Sequence, residues 1–235
     1  MIDVIAFDAD DTLWHNERLY SAAQDRLAAL LARYDREDGV REALYETESA
    51  NIGMYGYGLK SFALSMIETA IRLTDGEIAA ADIQEIVDVV KDLLGTPVRL
   101  LDHVAEVIPE LARSHRLMVI TKGDLFDQET KMARSSLAPY FSHFEVVSEK
   151  SEDAYRSLLH KHRLQAERFL MVGNSLRSDV LPVVALGGYA VHVPYHITWE
   201  HETVAHQGNA PLPYIELEHL GLLPALVERL GEQAQ

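Results

Sequence analysis

Cysteine is absent from the chain, which excludes disulfides and thiolate metal sites and fits a cytoplasmic protein. No apolar run reaches the ~18 residues of a membrane-spanning helix, so none is expected. The N-terminus lacks a basic stretch followed by an apolar segment and a small-residue cleavage site, so no secretory signal is expected either. Positive charge is scarce: 21 Lys and Arg stand against 37 Asp and Glu, a formal net charge of −16. Without a basic face, binding to a nucleic-acid backbone is not expected. A small anionic substrate is still compatible, because a metal ion and one or two lysines can reverse the field inside a single pocket. Internal repeats and low-complexity segments are also missing. What remains is 235 residues of ordinary globular composition, 48% hydrophobic and 25% charged, enough for one large domain or a core plus a smaller one. Nothing in it sets an oligomeric state.

The most informative stretch is the first one, MIDVIAFDADDTLWHNE. Ile2, Val4, Ile5, Ala6 and Phe7 form an apolar run too short for a helix, which breaks into Asp8-Ala-Asp10-Asp11-Thr12. The pattern predicts a buried strand that delivers carboxylates from its C-terminal end. Two carboxylates held that close repel unless a cation or a shared proton stabilises them, so the stretch reads as a divalent-metal site with a catalytic pair. Taken alone it also fits an acidic turn.

The rest of the chain decides between these. From Asn16, a candidate N-cap, to about residue 96 every signal is helical. Leu19, Ala23, Leu27, Leu30 and Leu31 recur at helical spacing, and 41–50 and 59–73 form further helices. Between these last two lies the expected loop Asn51-Ile-Gly53-Met-Tyr55-Gly-Tyr57-Gly58. Thr74-x-x-Glu77 resembles a capping box for a fourth helix, which Gly95 and Pro97 stop. Beyond Pro97 strands alternate with helices: Leu117–Ile120, Phe144–Val147, Phe169–Val172 and Tyr189–Val193 are strands, with helices near 100–113, 126–137, 152–162 and 178–186. That alternation predicts an α/β fold, a Rossmann-like parallel sheet. The expected domains are a core of 1–15 and 97–235 and an inserted all-α cap of 16–96.

Each of the first four strands ends in a polar group: Asp8 and Asp10, Thr121, Lys150, then Asn174 with Asp179. Ligands of open α/β sheets bind at the carboxyl ends of the strands, so these groups can converge. In this order they resemble the haloacid dehalogenase (HAD) superfamily, phosphatase branch. Its DxDx[T/V] motif stands as Asp8-Ala-Asp10-Asp11-Thr12, its Ser/Thr as Thr121 and its Lys as Lys150. Its GDxxxxD stands as Gly173-Asn174-Ser-Leu-Arg-Ser-Asp179, with Asn where the family usually has Asp. The resemblance implies that Asp8 attacks phosphorus and that Asp10 protonates the leaving oxygen and then activates water. It further implies Mg²⁺ held by Asp8, the Asp10 carbonyl, Asn174 and Asp179, with Thr121, main-chain N–H groups and Lys150 stabilising the phosphoryl oxygens. Asn174 implies weaker metal binding. Asp10 favours phosphate-ester hydrolysis of a small phosphorylated metabolite over carbon–halogen cleavage. Phosphoryl transfer or phosphomutase chemistry, and non-catalytic binding of a phosphorylated ligand, remain as alternatives.

Other residues read more locally. Asp11 is a turn residue with Thr12 as its hydrogen-bonding partner, and Asp124 and Asp127 cap the following helix. Lys122 offers its backbone to phosphate, with its side chain available to the cap. Tyr55 and Tyr57 either select the substrate or pack on the cap. Lys60 reads as a solvated lysine. His192, His196, His201 and His206 lack zinc-motif spacing, and Trp199 falls in a connecting loop of no assigned role.

Overall fold

A computed structural model describes residues 2–196 and 214–232. In chain order it contains β1 (Val4–Phe7), α1 (Glu17–Leu31), α2 (Val40–Tyr55), α3 (Leu59–Leu73), α4 (Ala80–Gly95), α5 (Val104–Leu111), β2 (Arg116–Lys122) and α6 (Leu125–Arg134). There follow β3 (Phe141–Val147), α7 (Glu152–His162), β4 (Phe169–Gly173), α8 (Leu181–Ala185), β5 (Tyr189–His192), β6 (Ile215–Glu216) and α9 (Leu223–Glu232). The chain divides into two compact units: Met1–Glu17 with Val98–Thr121 and Lys131–Gln235, and Arg18–Pro97 with Lys122–Thr130.

The first unit is built on a six-stranded sheet of order β3-β2-β1-β4-β5-β6. Pairing is parallel from β2 through β1, β4 and β5 to β6. The unbroken apolar run of β1 follows from burial on both faces. Ile5 and Phe7 point into a core with Leu117, Val119, Leu170 and Val172, while Val4 and Ala6 join Met118, Ile120, Phe169 and Met171 on the other side. The two-residue period of a strand thus splits one hydrophobic run between two cores. Because β1 lies between β2 and β4, the chain leaves it to opposite sides, the switch point where such sheets open a crevice.

Two structural details anchor that crevice. Asp8 N–H donates to Val172 O at 2.9 Å, extending the ladder one residue past β1, and Leu13 N–H then closes a single turn on Ala9 O at 2.8 Å. Where the chain leaves and re-enters this unit, His15 N–H donates to Arg99 O and Leu101 N–H to Leu13 O, both at 3.0 Å. The two chain segments therefore hold each other.

In the second unit, α1, α3 and α4 bury a stripe that includes Leu27, Leu31, Phe62, Met66, Ile86 and Val89. The seam between α2 and α3 is polar but paired: Asn51 Nδ2 donates to Ser65 Oγ at 3.1 Å and Glu68 Oε2 at 3.0 Å, and Thr69 Oγ1 to Thr47 Oγ1 at 3.0 Å. Buried polar groups are tolerated when bonded in this way.

Two sequence expectations are corrected here. The loop expected from Asn51 begins only after Tyr55, because Asn51 turns inward to Ser65 and so prolongs α2; Gly56 and Gly58, at φ +71° and +110°, make the turn. Thr74 does not cap the fourth helix: its Oγ1 accepts from Ile78 N–H and donates to Ala70 O, closing α3, while α4 starts at Ala80. Lys122–Thr130 falls in the second unit, with Arg18–Pro97. Lys60 Nζ pairs with Asp124 Oδ2 at 2.9 Å, and Lys122 Nζ lies 4.5 Å from the Tyr57 ring centroid.

Candidate active site

The carboxyl ends of β1 and β4 bring together a buried ion cluster. Lys150 Nζ donates to Asp8 Oδ1 and, at 2.7 Å, to Asp179 Oδ1. The three side chains are 2%, 9% and 1% exposed, so each charge depends on the others rather than on water. Burial opposes the Lys150 charge, yet Asp179 and Asp8 hold its ammonium above the ordinary lysine range. Burial pushes the Asp8 carboxyl up to about 7, with Lys150 opposing the rise and Asp179 adding to it.

Asp179 is fixed on its other side as well, since its Oδ2 accepts from Ser175 N–H at 3.0 Å. It reaches this place through a five-residue π-helical turn, Leu176–Val180, whose N-cap Ser175 accepts from Ser178 N–H at 3.0 Å. Gly173 is required beneath it. A Cβ at 173 would lie 2.2 Å from Asp179 Oδ2.

Thr12 links the two ends of the site. Its Oγ1 lies 3.1 Å from Asp8 Oδ2 and 3.3 Å from Asn174 Oδ1, so the hydroxyl expected to serve its own turn faces the carboxylate and the amide instead. Asp11, at φ +61°, occupies the turn as expected. Its two oxygens accept from Asn16 N–H at 2.8 Å and Glu17 N–H at 2.9 Å, so it is Asp11 that caps the start of α1. Burial pushes the Asp11 carboxyl up to about 6 against those hydrogen bonds.

Asp10 has different surroundings from Asp8. Its side chain is 23% exposed; Trp14 Nε1 donates to its Oδ1 at 2.7 Å, and Lys131 Nζ spans both oxygens at 3.1 and 3.2 Å. Thr121 is buried near the end of β2, two residues beyond Val119, the partner of Phe7. Tyr57 and Lys122 meet in the helical unit, Tyr55 is exposed at the end of α2, and Asp124 accepts from Asp127 N–H at 3.1 Å as the expected cap of α6.

Sequence reasoning gave no role to Lys131 or His192. Lys131 shares the last turn of α6 with Arg134, and no spacing rule singles it out. His192 ends β5, where Nδ1 lies 2.9 Å from Glu216 Oε2 and Nε2 lies 3.1 Å from the Asn174 carbonyl oxygen. It therefore supports the turn that carries Asn174. His196 packs against Tyr195 with ring centroids 4.2 Å apart; Trp199, His201 and His206 lie outside the described residues.

The donor set suits one hard divalent cation. Asp8 Oδ2 and Asn174 Oδ1 converge on a single hydroxyl that has one proton to give, and hard oxygens of this kind are ligands for Mg²⁺. The set is lean, with no group of three or more acidic or histidine side chains placed to hold a metal among the described residues.

A model of the haloacid dehalogenase-like hydrolase family matches residues 2–187. A haloacid dehalogenase-like family hydrolase from Xanthomonas campestris is 40% identical, with 99% of this chain and 93% of that one covered and a TM-score of 0.88. A 2-haloacid dehalogenase from Pseudomonas syringae pv. Tomato DC3000 shares the fold at 21% identity, 98% and 100% coverage and a TM-score of 0.66. So does a predicted phosphoglycolate phosphatase from Haemophilus somnus 129PT, at 15% identity, 96% and 98% coverage and a TM-score of 0.62. No curated protein matches the chain.

Proposed function

The chain belongs to the haloacid dehalogenase-like hydrolases, and from that premise we propose that it hydrolyses a small phosphomonoester, with Mg²⁺, by way of an aspartyl-phosphate on Asp8. The observation that carries this reading is the pair of carboxylates two residues apart in unlike surroundings. Asp8 is buried against a lysine, and Asp10 is half-buried and gripped by donors. Such a split is how one site provides both a nucleophile and a proton carrier. Breaking a carbon–halogen bond releases halide and calls for no proton donor, whereas an ester oxygen leaves far more readily when protonated.

In the proposed reaction an Asp8 oxygen bonds to phosphorus as the ester P–O bond breaks, and Asp10 passes its proton to the departing oxygen. Asp10 then takes a proton from water. That water oxygen bonds to phosphorus, the bond to Asp8 breaks, and inorganic phosphate leaves. Lys150 offsets charge on Asp8 and on the phosphoryl oxygens, and Thr121 donates to them from the end of β2. Mg²⁺ would be held by Asp8, the Asp10 main-chain oxygen and Asn174, and would supply positive charge beside the phosphoryl group. Asp179 has its oxygens on Lys150 and Ser175, so we assign it to anchoring the lysine. Tyr55 and Tyr57, within an inserted cap of 16–96, are together with Lys122 the proposed selectors of the leaving group.

The test is phosphate release from an aryl phosphate and a panel of metabolite phosphates, with Mg²⁺, with chelator and with Asp8→Asn. Metal-dependent release that falls at least ~10³-fold in Asp8→Asn supports the reading. One observation favours a second reading: Asn174 gives the site less negative charge for a metal. A parallel arm therefore offers a 2-haloacid and measures halide. Halide release without phosphate release refutes the phosphatase reading.

A further inference from the structure

Lys131 projects from α6 with its side chain only 15% exposed. Its Nζ lies 3.1 and 3.2 Å from the two Asp10 oxygens and 2.9 Å from Asn16 Oδ1. We propose that Lys131 is a positioning residue: its ammonium fixes the Asp10 carboxylate in the orientation needed for proton transfer and couples that orientation to Asn16. The inference rests on the phosphatase reading above, because it assigns Asp10 the proton-carrying role.

The geometry supports this in three steps. An ammonium that spans both oxygens restrains the carboxylate plane, and Trp14 Nε1, at 2.7 Å from Oδ1, fixes which oxygen faces the indole. Asp10 lies in the turn closed by Leu13 N–H on Ala9 O, where a partly exposed carboxylate without such partners would populate several rotamers. Finally, Asn16 is the residue whose N–H is accepted by Asp11. Neighbouring carboxylates are thus both tied to residue 16, Asp11 directly and Asp10 through Lys131. An exposed lysine on a helix would contribute little, but this one is enclosed and converges on three oxygens.

A positioning role predicts a loss that depends on the leaving group, which a merely structural role does not. In Lys131→Met, kcat/KM for an alkyl phosphate, whose oxygen needs a proton, falls about tenfold or more, short of the ~10²–10⁴ of losing the acid outright. For 2,4-dinitrophenyl phosphate, whose leaving group needs none, it changes less than about threefold. Lys131→Arg recovers part of the alkyl-phosphate rate, since it restores the charge in a different shape. The second readout needs no turnover. In a Trp199→Phe background Trp14 is the one remaining tryptophan of two, and its indole N–H resonance reports the bond to Asp10. Lys131→Met shifts that resonance, and Lys131→Arg moves it back towards the parent.

Equal losses on both esters, no loss on either, or an unmoved indole resonance each overturn the proposal. If the parent releases phosphate from neither ester, the phosphatase reading fails and the proton-transfer half of the inference falls with it. The indole resonance then still decides whether Lys131 holds Asp10.

Discussion

Lys150→Met isolates the buried ion cluster, because methionine keeps the length and volume of the lysine stem while removing its charge. Asp8 and Asp179 then face each other without a cation. Asp8 has a way out: burial already pushes its carboxyl up to about 7, so it takes up a proton at neutral pH with little further cost. The loss therefore concentrates on Asp179, 1% exposed and left with the Ser175 N–H. The expected size at neutral pH is the ~3–5 kcal/mol found when a buried pair loses one partner. The sign follows from linkage. A carboxyl whose folded pKa is raised stabilises the fold most below its unfolded pKa, and that stability is lost as pH rises through the folded value. The deficit of the variant should therefore be small in acid and grow towards neutrality. Urea denaturation of parent and variant, followed by circular dichroism at about pH 5 and about pH 8, measures it. Adding Asp179→Asn should recover most of the deficit at the higher pH, since the amide oxygen still accepts from Ser175. A deficit under about 1 kcal/mol at the higher pH, or one equal at both, would refute the reasoning.

Gly173→Ala should lower stability by ~1–3 kcal/mol in thermal unfolding and reduce phosphate release at least about tenfold, because the added methyl displaces the carboxylate that anchors Lys150. Asn174→Asp should tighten Mg²⁺ about tenfold, or ~1.4 kcal/mol, by adding a negative charge to the donor set; half-saturation in a metal titration of phosphate release measures it, and an unchanged midpoint would remove Asn174 from the metal site.

Apart from the two-residue β6, the sheet was legible from sequence because its signals are local. Four apolar runs of strand length, each followed by a polar residue and then a helical pattern, specify a parallel sheet with its ligand edge on one side. Ends of elements were less legible. Asn51 looks like a turn residue, yet in place it bonds to Ser65 across a helix seam, and tertiary contact overrides its local preference. The ion cluster was foreseeable as a meeting of strand ends. What each residue does there was not: the Thr12 hydroxyl turns towards Asp8 and Asn174, and Asp179 commits both oxygens to Lys150 and Ser175. Lys131 was invisible, because a lysine on an amphipathic helix acquires meaning only from the carboxylate it meets 121 residues away in sequence.

Charge balance connects these details to Asn174. Asp8, Asp10 and Asp179 against Lys131 and Lys150 leave one net negative charge across the paired groups. An aspartate at 174 would add another, drawing a metal more strongly but also repelling an incoming phosphate dianion until the metal is in place. With asparagine, the amide oxygen still points at the same hydroxyl as Asp8, so the geometry for a hard cation is kept while the field is weaker. On the proposed reading the protein therefore needs a higher Mg²⁺ concentration to fill the site, and in return its empty site repels phosphate less. Direct binding of inorganic phosphate in chelator, measured by calorimetry, separates the two: Asn174→Asp should weaken it, and equal or tighter binding would mean that residue 174 does not face the phosphate.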